Sequence, residues 1–180
     1  MQTLSARLNR LSESQTLAMT RRSRELRAQG IDVINLSIGE PDFPTPQIIK
    51  EAAKKAIDED FSHYTPVSGY LELRQAIAEK FKRDNALDFE ADQIVVSTGA
   101  KQSIANAVLS IINPGDEVIV PVPYWVSYLE IIKLAEGNSV LVEAGIENDF
   151  KVTATQLKKA TTNRRLTQLS LLQNSTGGAR

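Results

Sequence analysis

Three loops in this sequence carry residue types suited to holding a small anionic ligand. Thr98-Gly99-Ala100-Lys101 lies between an apolar run and a helical one. A glycine there lets the backbone approach a ligand closely, and the N–H groups and dipole of a helix start favour an anion such as a phosphate. An ordinary strand–helix turn with a convenient glycine has the same residues. Pro121-Val122-Pro123-Tyr124-Trp125 closes the next apolar run, and Trp125 is the only tryptophan. Its indole face could stack on a planar ring, or both aromatics could fill the core below a sheet. Asn174-Ser175-Thr176-Gly177 is the third loop.

Two further stretches have short-range logic. In Gly39-Glu40-Pro41-Asp42-Phe43 the glycine can present its backbone to a ligand and the proline sets a turn; a surface linker would read the same way. Tyr64 offers a hydroxyl to an anion. His63 has no neighbour in the sequence to orient it, and it reads as a solvated loop residue.

Composition removes several classes of function. There is no cysteine, hence no disulfide framework and no thiolate metal site, and a lone histidine excludes a His-rich metal centre; no metal is expected. A net charge of −1 gives no electrostatic case for nucleic acid or a membrane surface. No apolar run nears the roughly 20 residues that span a bilayer, and residues 1–10 lack the apolar core of a secretory signal. The expected location is cytoplasmic. The 180 residues, 42% hydrophobic and 24% charged, have the balance of a globular protein.

The elements that must position these residues follow from periodicity. Residues 1–13 read as an exposed arm. Ser14 to Gly30 reads as a helix closed by a glycine cap, and Ile31 to Ser37 as a β-branched strand. Gly39 to Pro46 holds three prolines and must be extended or turning. Pro46 opens a helix with Ala52, Ala53, Ala56 and Ile57 on its inner face. After a loop at 61–68, Gly69 to Arg83 is helical, with Leu71, Leu73, Ala76, Ile77 and Phe81 recurring at helical spacing. Strands at Gln93–Ser97, Glu117–Val122 and Ser139–Glu143 then alternate with helices at Lys101–Ile112, Ser127–Ala135 and from Thr155 to Ala160. Such alternation implies an α/β fold: a mostly parallel sheet with helices on both faces and ligands beyond the carboxyl ends of the strands.

Each signal is ordinary alone, but their order is specific. Gly39-Glu40-Pro41-Asp42-Phe43, then Tyr64 to Arg74 (YTPVSGYLELR), then Ser97 to Gln102 (STGAKQ), then Asn113 to Tyr128 (NPGDEVIVPVPYWVSY) resembles the class I aminotransferases of fold type I, enzymes that depend on pyridoxal phosphate. The similarity runs from about Ser5 to Arg164 and is nearest to bacterial aspartate aminotransferases. It implies an N-terminal arm and small-domain segment over 1–45, and the N-terminal part of a cofactor-binding large domain over 46–180. It also implies a homodimer acting on an amino acid and a 2-oxo acid.

The resemblance carries roles onto matching positions. It implies that Gly39 contacts the substrate α-carboxylate through its backbone, and that Tyr64 reaches the cofactor phosphate of a partner subunit. Gly99, Ala100 and Lys101 match the helix start that holds the phosphate. Trp125 matches the aromatic that stacks on the pyridine ring. Asn174 matches the asparagine bonded to the phenolic oxygen. Ser14, Thr16 and Lys101 match groups that receive the distal carboxylate of an acidic substrate. By residue type alone, Ser14 and Thr16 would equally serve as helix N-caps.

After Arg164 the similarity fails. The family has a hydrophobic strand and then S-P-x-N-P-T-G, whereas this sequence has Leu171-Leu172-Gln173-Asn174-Ser175-Thr176-Gly177. A local reading-frame change regained near Asn174 would produce this pattern. The family's Schiff-base lysine, its pyridine-paired aspartate, a tyrosine and the α-carboxylate arginine match positions beyond residue 180. Lys101, on the phosphate turn, is no substitute for that lysine. Read this way, the 180 residues are inactive by themselves, with open sheet edges and poor solubility. An inactive remnant and a related fold type I lyase are the alternative readings.

Overall fold

The computed structural model describes residues 4–36, 39, 41–161 and 166–167. In chain order the elements are α1 (Ala6–Asn9), α2 (Gln15–Ala28), α3 (Gln47–Asp58), α4 (Leu71–Asn85), α5 (Ala100–Ile111), β1 (Glu117–Val122), α6 (Ser127–Leu134), β2 (Asn138–Glu143), α7 (Ala154–Ala160) and β3 (Leu166–Thr167). Short 3₁₀ turns occupy Ala91–Gln93 and Ile146–Asn148. The chain divides into two compact units, Met1–Ile38 with Ile104–Arg180, and Gly39–Ser103. It is a mixed α/β chain, mainly helical, with one small parallel sheet.

That sheet lies in the first unit, in the order β2-β1-β3. β1 pairs in parallel with β2 from Glu117↔Asn138 to Val122↔Glu143, and with β3 at Glu117↔Leu166 and Val118↔Thr167. Successive side chains of a strand face opposite ways, yet Val118, Ile119 and Val120 are all buried, so the central strand is covered on both sides. Val118 and Val120 join Val108 of α5 and Ile112 just after it, with Ile131, Ile132 and Ala135 around α6, in one apolar cluster. The turn before β1 is built by its own residues. Asn113 N–H donates to Asp116 Oδ2 at 2.8 Å, and Gly115 takes the left-handed φ of 85° that a side chain resists.

The first segment is more than an exposed arm. Ser5 caps α1 by accepting the Leu8 N–H, and α1 packs against α6. Ser14 caps α2, which ends as expected at Gly30, whose φ is 80°. The strand expected from Ile31 is absent: residues 31–36 are irregular, and the Val33 carbonyl accepts from the Arg27 guanidinium at 2.9 Å rather than from a neighbouring strand.

The second unit is helical among its described residues. Arg74 ties it together, donating to the Gly69 carbonyl at 3.2 Å and the Ala91 carbonyl at 2.8 Å. α4 ends at Ala86 in a left-handed cap, and Phe81 meets Phe89 edge-on with centroids 5.9 Å apart. The strand expected at Gln93–Ser97 is not formed. Ile94 is extended and buried, but this unit supplies no ladder partner among its described residues; Val96 N–H makes one bond, to the Ser68 carbonyl. The expected inner face of α3 is likewise exposed except for half-buried Ala56, with Ile57 largely in solvent. On α4, of the apolar residues at helical spacing, Ile77 and Phe81 are half-buried, while Leu71, Leu73 and Ala76 are exposed. Both faces were read from spacing, which identifies a stripe without supplying the surface it packs on.

No helix among the described residues is long and apolar enough to cross a membrane. The same residues hold no group of three or more His, Cys, Asp or Glu arranged to bind a metal.

Candidate functional site

In the second unit, Gly99 stands at the start of α5 with φ of 86°. Its carbonyl accepts from Gln102 N–H at 3.1 Å and Ser103 N–H at 3.3 Å, so it acts as the helix cap. A Cβ on Gly99 would meet nothing within 4 Å; the glycine is required by backbone conformation, and the space beside it is open. Ala100 and Lys101 follow in the first turn, both exposed. An open, glycine-started helix N-terminus fits a phosphate group in charge and in room. The Thr98 N–H is already taken by Gln102 Oε1. Gln102 therefore shapes this turn, a role that sequence reading missed; glutamine four residues after a helix-start threonine was the available signal.

Tyr64 and His63 sit in the same unit on an exposed loop, and the Tyr64 ring is fully in solvent. Ser68 in that loop is bonded to Val96, three residues before Gly99. Gly39 is exposed, and a Cβ there would touch nothing.

In the first unit, the residues after β1 turn through a cis Val122–Pro123 bond. Tyr124 is half-buried against the core cluster, while Trp125 remains 41% exposed. Of the two aromatics, one fills the core and the other is left at the carboxyl end of the central strand. Tyr128, one helical turn on, packs against the indole in a T-shaped pair, with centroids 5.5 Å apart and ring planes at 87°.

Ser14 and Thr16 lie at the first turn of α2, both half-buried. Ser14 Oγ accepts the Leu17 N–H at 3.4 Å, so Ser14 is an N-cap as its residue type allows. That bond uses the oxygen as acceptor and does not consume the O–H donor. The start of a 14-residue helix also favours negative charge.

The arm that leads to Ser14 is fastened to α6. Ser12 N–H donates to Glu130 Oε2 at 2.8 Å, and Lys133 Nζ lies 2.7 Å from Glu130 Oε1. Burial pulls the Glu130 carboxyl upward, but the bonds from Lys133 and the Ser12 N–H, with the Lys133 charge, outweigh it and hold it below the usual carboxylate value. Arg10 Nη2 and Arg7 Nη2 converge on Glu136 at 2.9 and 3.5 Å. Sequence reading found neither glutamate, because the arm residues they hold lie more than a hundred residues away. Asn174 lies outside the described residues.

The second unit has an open, glycine-started helix N-terminus, and the first unit has a partly exposed tryptophan after its central parallel strand. The chain belongs to the aminotransferase class I and II family, whose model matches residues 31–176. The family depends on pyridoxal phosphate. Over 161 residues the chain is 53% identical to an aspartate/prephenate aminotransferase of Cereibacter sphaeroides, covering 89% of this chain and 40% of that protein. It is 50% identical over 161 residues to an aspartate aminotransferase of a Bacillus species, covering 89% and 41%. Among solved structures, the aspartate aminotransferase of Thermus thermophilus with maleate matches at a TM-score of 0.86 and 42% identity, over 92% of this chain and 44% of that one. The chain therefore spans about two fifths of the length of these relatives.

Proposed function

We propose that this chain forms the cofactor-cradling and substrate-selecting part of a pyridoxal-phosphate-dependent aminotransferase that moves an amino group between an acidic amino acid and a 2-oxo acid. The observation that carries this reading is Trp125. In a chain of this family, the sole tryptophan stays exposed at the carboxyl end of the central parallel strand while its neighbour Tyr124 is packed inward. Bound pyridoxal phosphate supplies an electron sink for the charge left at the substrate Cα.

The protein's own residues do the rest. Gly99, Ala100 and Lys101 receive the phosphate at the first turn of α5. Trp125 stacks on the ring and sets its plane. Gly39 offers its backbone to the substrate α-carboxylate, and Asn174 bonds the phenolic oxygen. Ser14 and Thr16, at the positive end of α2, take the distal carboxylate together with the Lys101 ammonium. Tyr64, fully exposed on its loop, extends to the phosphate of a second copy, so the working unit is a homodimer. Residues 1–45 act as arm and small-domain segment and 46–180 belong to a large domain of fold type I, in the cytoplasm. The Thermus thermophilus relative was solved with maleate, a dicarboxylate, which supports the acidic substrate.

Titration of the protein with pyridoxal phosphate, reading Trp125 emission, tests the cradle. Saturable quenching that inorganic phosphate competes away is expected, and loss of that quenching in Gly99→Val. Absence of saturable quenching in the unaltered protein would overturn the assignment. Titration of the cofactor-loaded protein with maleate, followed by the same emission and with propionate as the monocarboxylate comparison, tests the substrate class.

A further inference from the structure

The contacts between the arm and α6 exceed what ordinary surface ion pairs do. A solvent-exposed pair such as Arg21–Glu13, with both side chains about 60% exposed, contributes little. Glu130 and Glu136 differ in being only 29% and 24% exposed. Glu130 accepts a backbone N–H, and a charge-assisted bond to the main chain locates a segment more tightly than one between two long side chains. Its carboxylate is oriented in turn by Lys133, one turn along the same helix.

Glu136 is the more telling residue. It holds φ of 62°, a conformation where glycine or asparagine costs less. Its carbonyl accepts the Gly115 N–H at 2.9 Å, which anchors it to the turn before β1, while its side chain takes Arg10 and Arg7. The two arginines give this glutamate a side-chain role that a glycine could not fill.

Both ends of this arrangement lead to residues of the proposed site. Ser12 is two residues from Ser14, a span of at most about 7 Å along the backbone. α6 begins two residues after Trp125, and Glu130 lies in its first turn. We propose that Glu130 and Glu136 are positioning residues: they clasp the arm to α6 and so hold Ser14 and Thr16 in register with Trp125, setting the preference for a dicarboxylic substrate. The inference rests on the reading of Ser14 and Thr16 given above.

The test uses Glu130→Ala, Glu130→Gln and Glu136→Gly in the whole chain loaded with pyridoxal phosphate. Glycine at 136 adopts the left-handed backbone freely, so that variant removes the clasp without adding strain. Amide hydrogen exchange is followed by mass spectrometry over residues 8–17, with β1 as the internal standard. Maleate and, as a monocarboxylate control, propionate are titrated against Trp125 emission. Exchange over 8–17 is expected to rise about tenfold in Glu130→Ala and Glu136→Gly, with β1 unchanged. Maleate affinity falls about tenfold, while pyridoxal phosphate and propionate bind as before. Glu130→Gln keeps an acceptor for the Ser12 N–H and recovers most of both. Unchanged exchange in Glu130→Ala and Glu136→Gly overturns the clasp. Freed exchange with undiminished maleate affinity overturns its role in selectivity. If the unaltered protein does not distinguish maleate from propionate, the acidic-substrate reading fails, the selectivity role falls with it, and exchange alone decides the clasp.

Discussion

Gly69 and Val96 approach so closely that a Cβ built on the glycine would lie 2.9 Å from the Val96 Cβ. The contact is reinforced by the bond from Val96 N–H to the Ser68 carbonyl at 3.0 Å and by Arg74 donating to the Gly69 carbonyl. It joins the loop that carries Tyr64 to the segment that runs into Gly99. In the second unit, where Ile94 alone among the described residues is buried, this backbone-to-side-chain contact replaces much of what a larger core would do.

Gly69→Ala meets two penalties at once: φ of 93° and the overlap with a β-branched side chain. The expected loss is about 2–3 kcal/mol of stability, larger than glycine substitutions that change only conformational freedom. Urea unfolding followed by circular dichroism measures it. A change within about 0.5 kcal/mol would show that the loop gives way.

Gly99→Ala separates conformation from crowding. Its φ of 86° resists a side chain, but a Cβ would meet open space, so stability falls by only about 1–2 kcal/mol. The same methyl group enters the room beside the helix start, and affinity for pyridoxal phosphate falls by more than the stability change accounts for. Comparing the urea midpoint with the cofactor titration reads the two effects separately.

Ile132 is 1% exposed and touches the cluster formed by α5, β1 and α6. Ile132→Ala is expected to cost about 2–5 kcal/mol, from lost burial and the cavity left behind. Thermal unfolding measures it, and Trp125 emission shows whether the strand end loosens with the core.

Glu130 titrates below the ordinary carboxylate value in the folded chain, so its contribution to stability is present above the unfolded value and disappears as pH falls through the folded one. Protection of the Ser12 amide, corrected for intrinsic exchange, is expected to decline as pH drops below about 4. Glu130→Gln removes that decline, because an amide does not titrate.

Local physics made much of the chain legible in advance. The bounds of β1 were read correctly because a β-branched run between the Asn113–Asp116 turn and Pro123 leaves little freedom. The Ser14 cap and the Gly30 stop of α2 are equally local. The glycine before α5 could be read as well, since a positive-φ residue at a helix start is a property of a few adjacent residues.

What failed was whatever needed a partner. Residues 94–97 have strand-forming side chains, and Ile94 is even extended, but a strand exists only when another pairs with it. The apolar stripe of α3 was visible in its spacing, whereas its exposure was not.

The sequence by itself determined where the helices after residue 13 and the central strand lie, the glycine that starts α5 and the family to which the chain belongs, because each depends on residues close together or on their order. Only the tertiary structure decided that Tyr124 packs inward while Trp125 stays exposed, and that Arg7, Arg10 and Ser12 meet Glu136 and Glu130. The first choice depends on how α5, β1 and α6 pack together, and the second on contacts across more than a hundred residues; no local pattern encodes which side chain will be there to complete either.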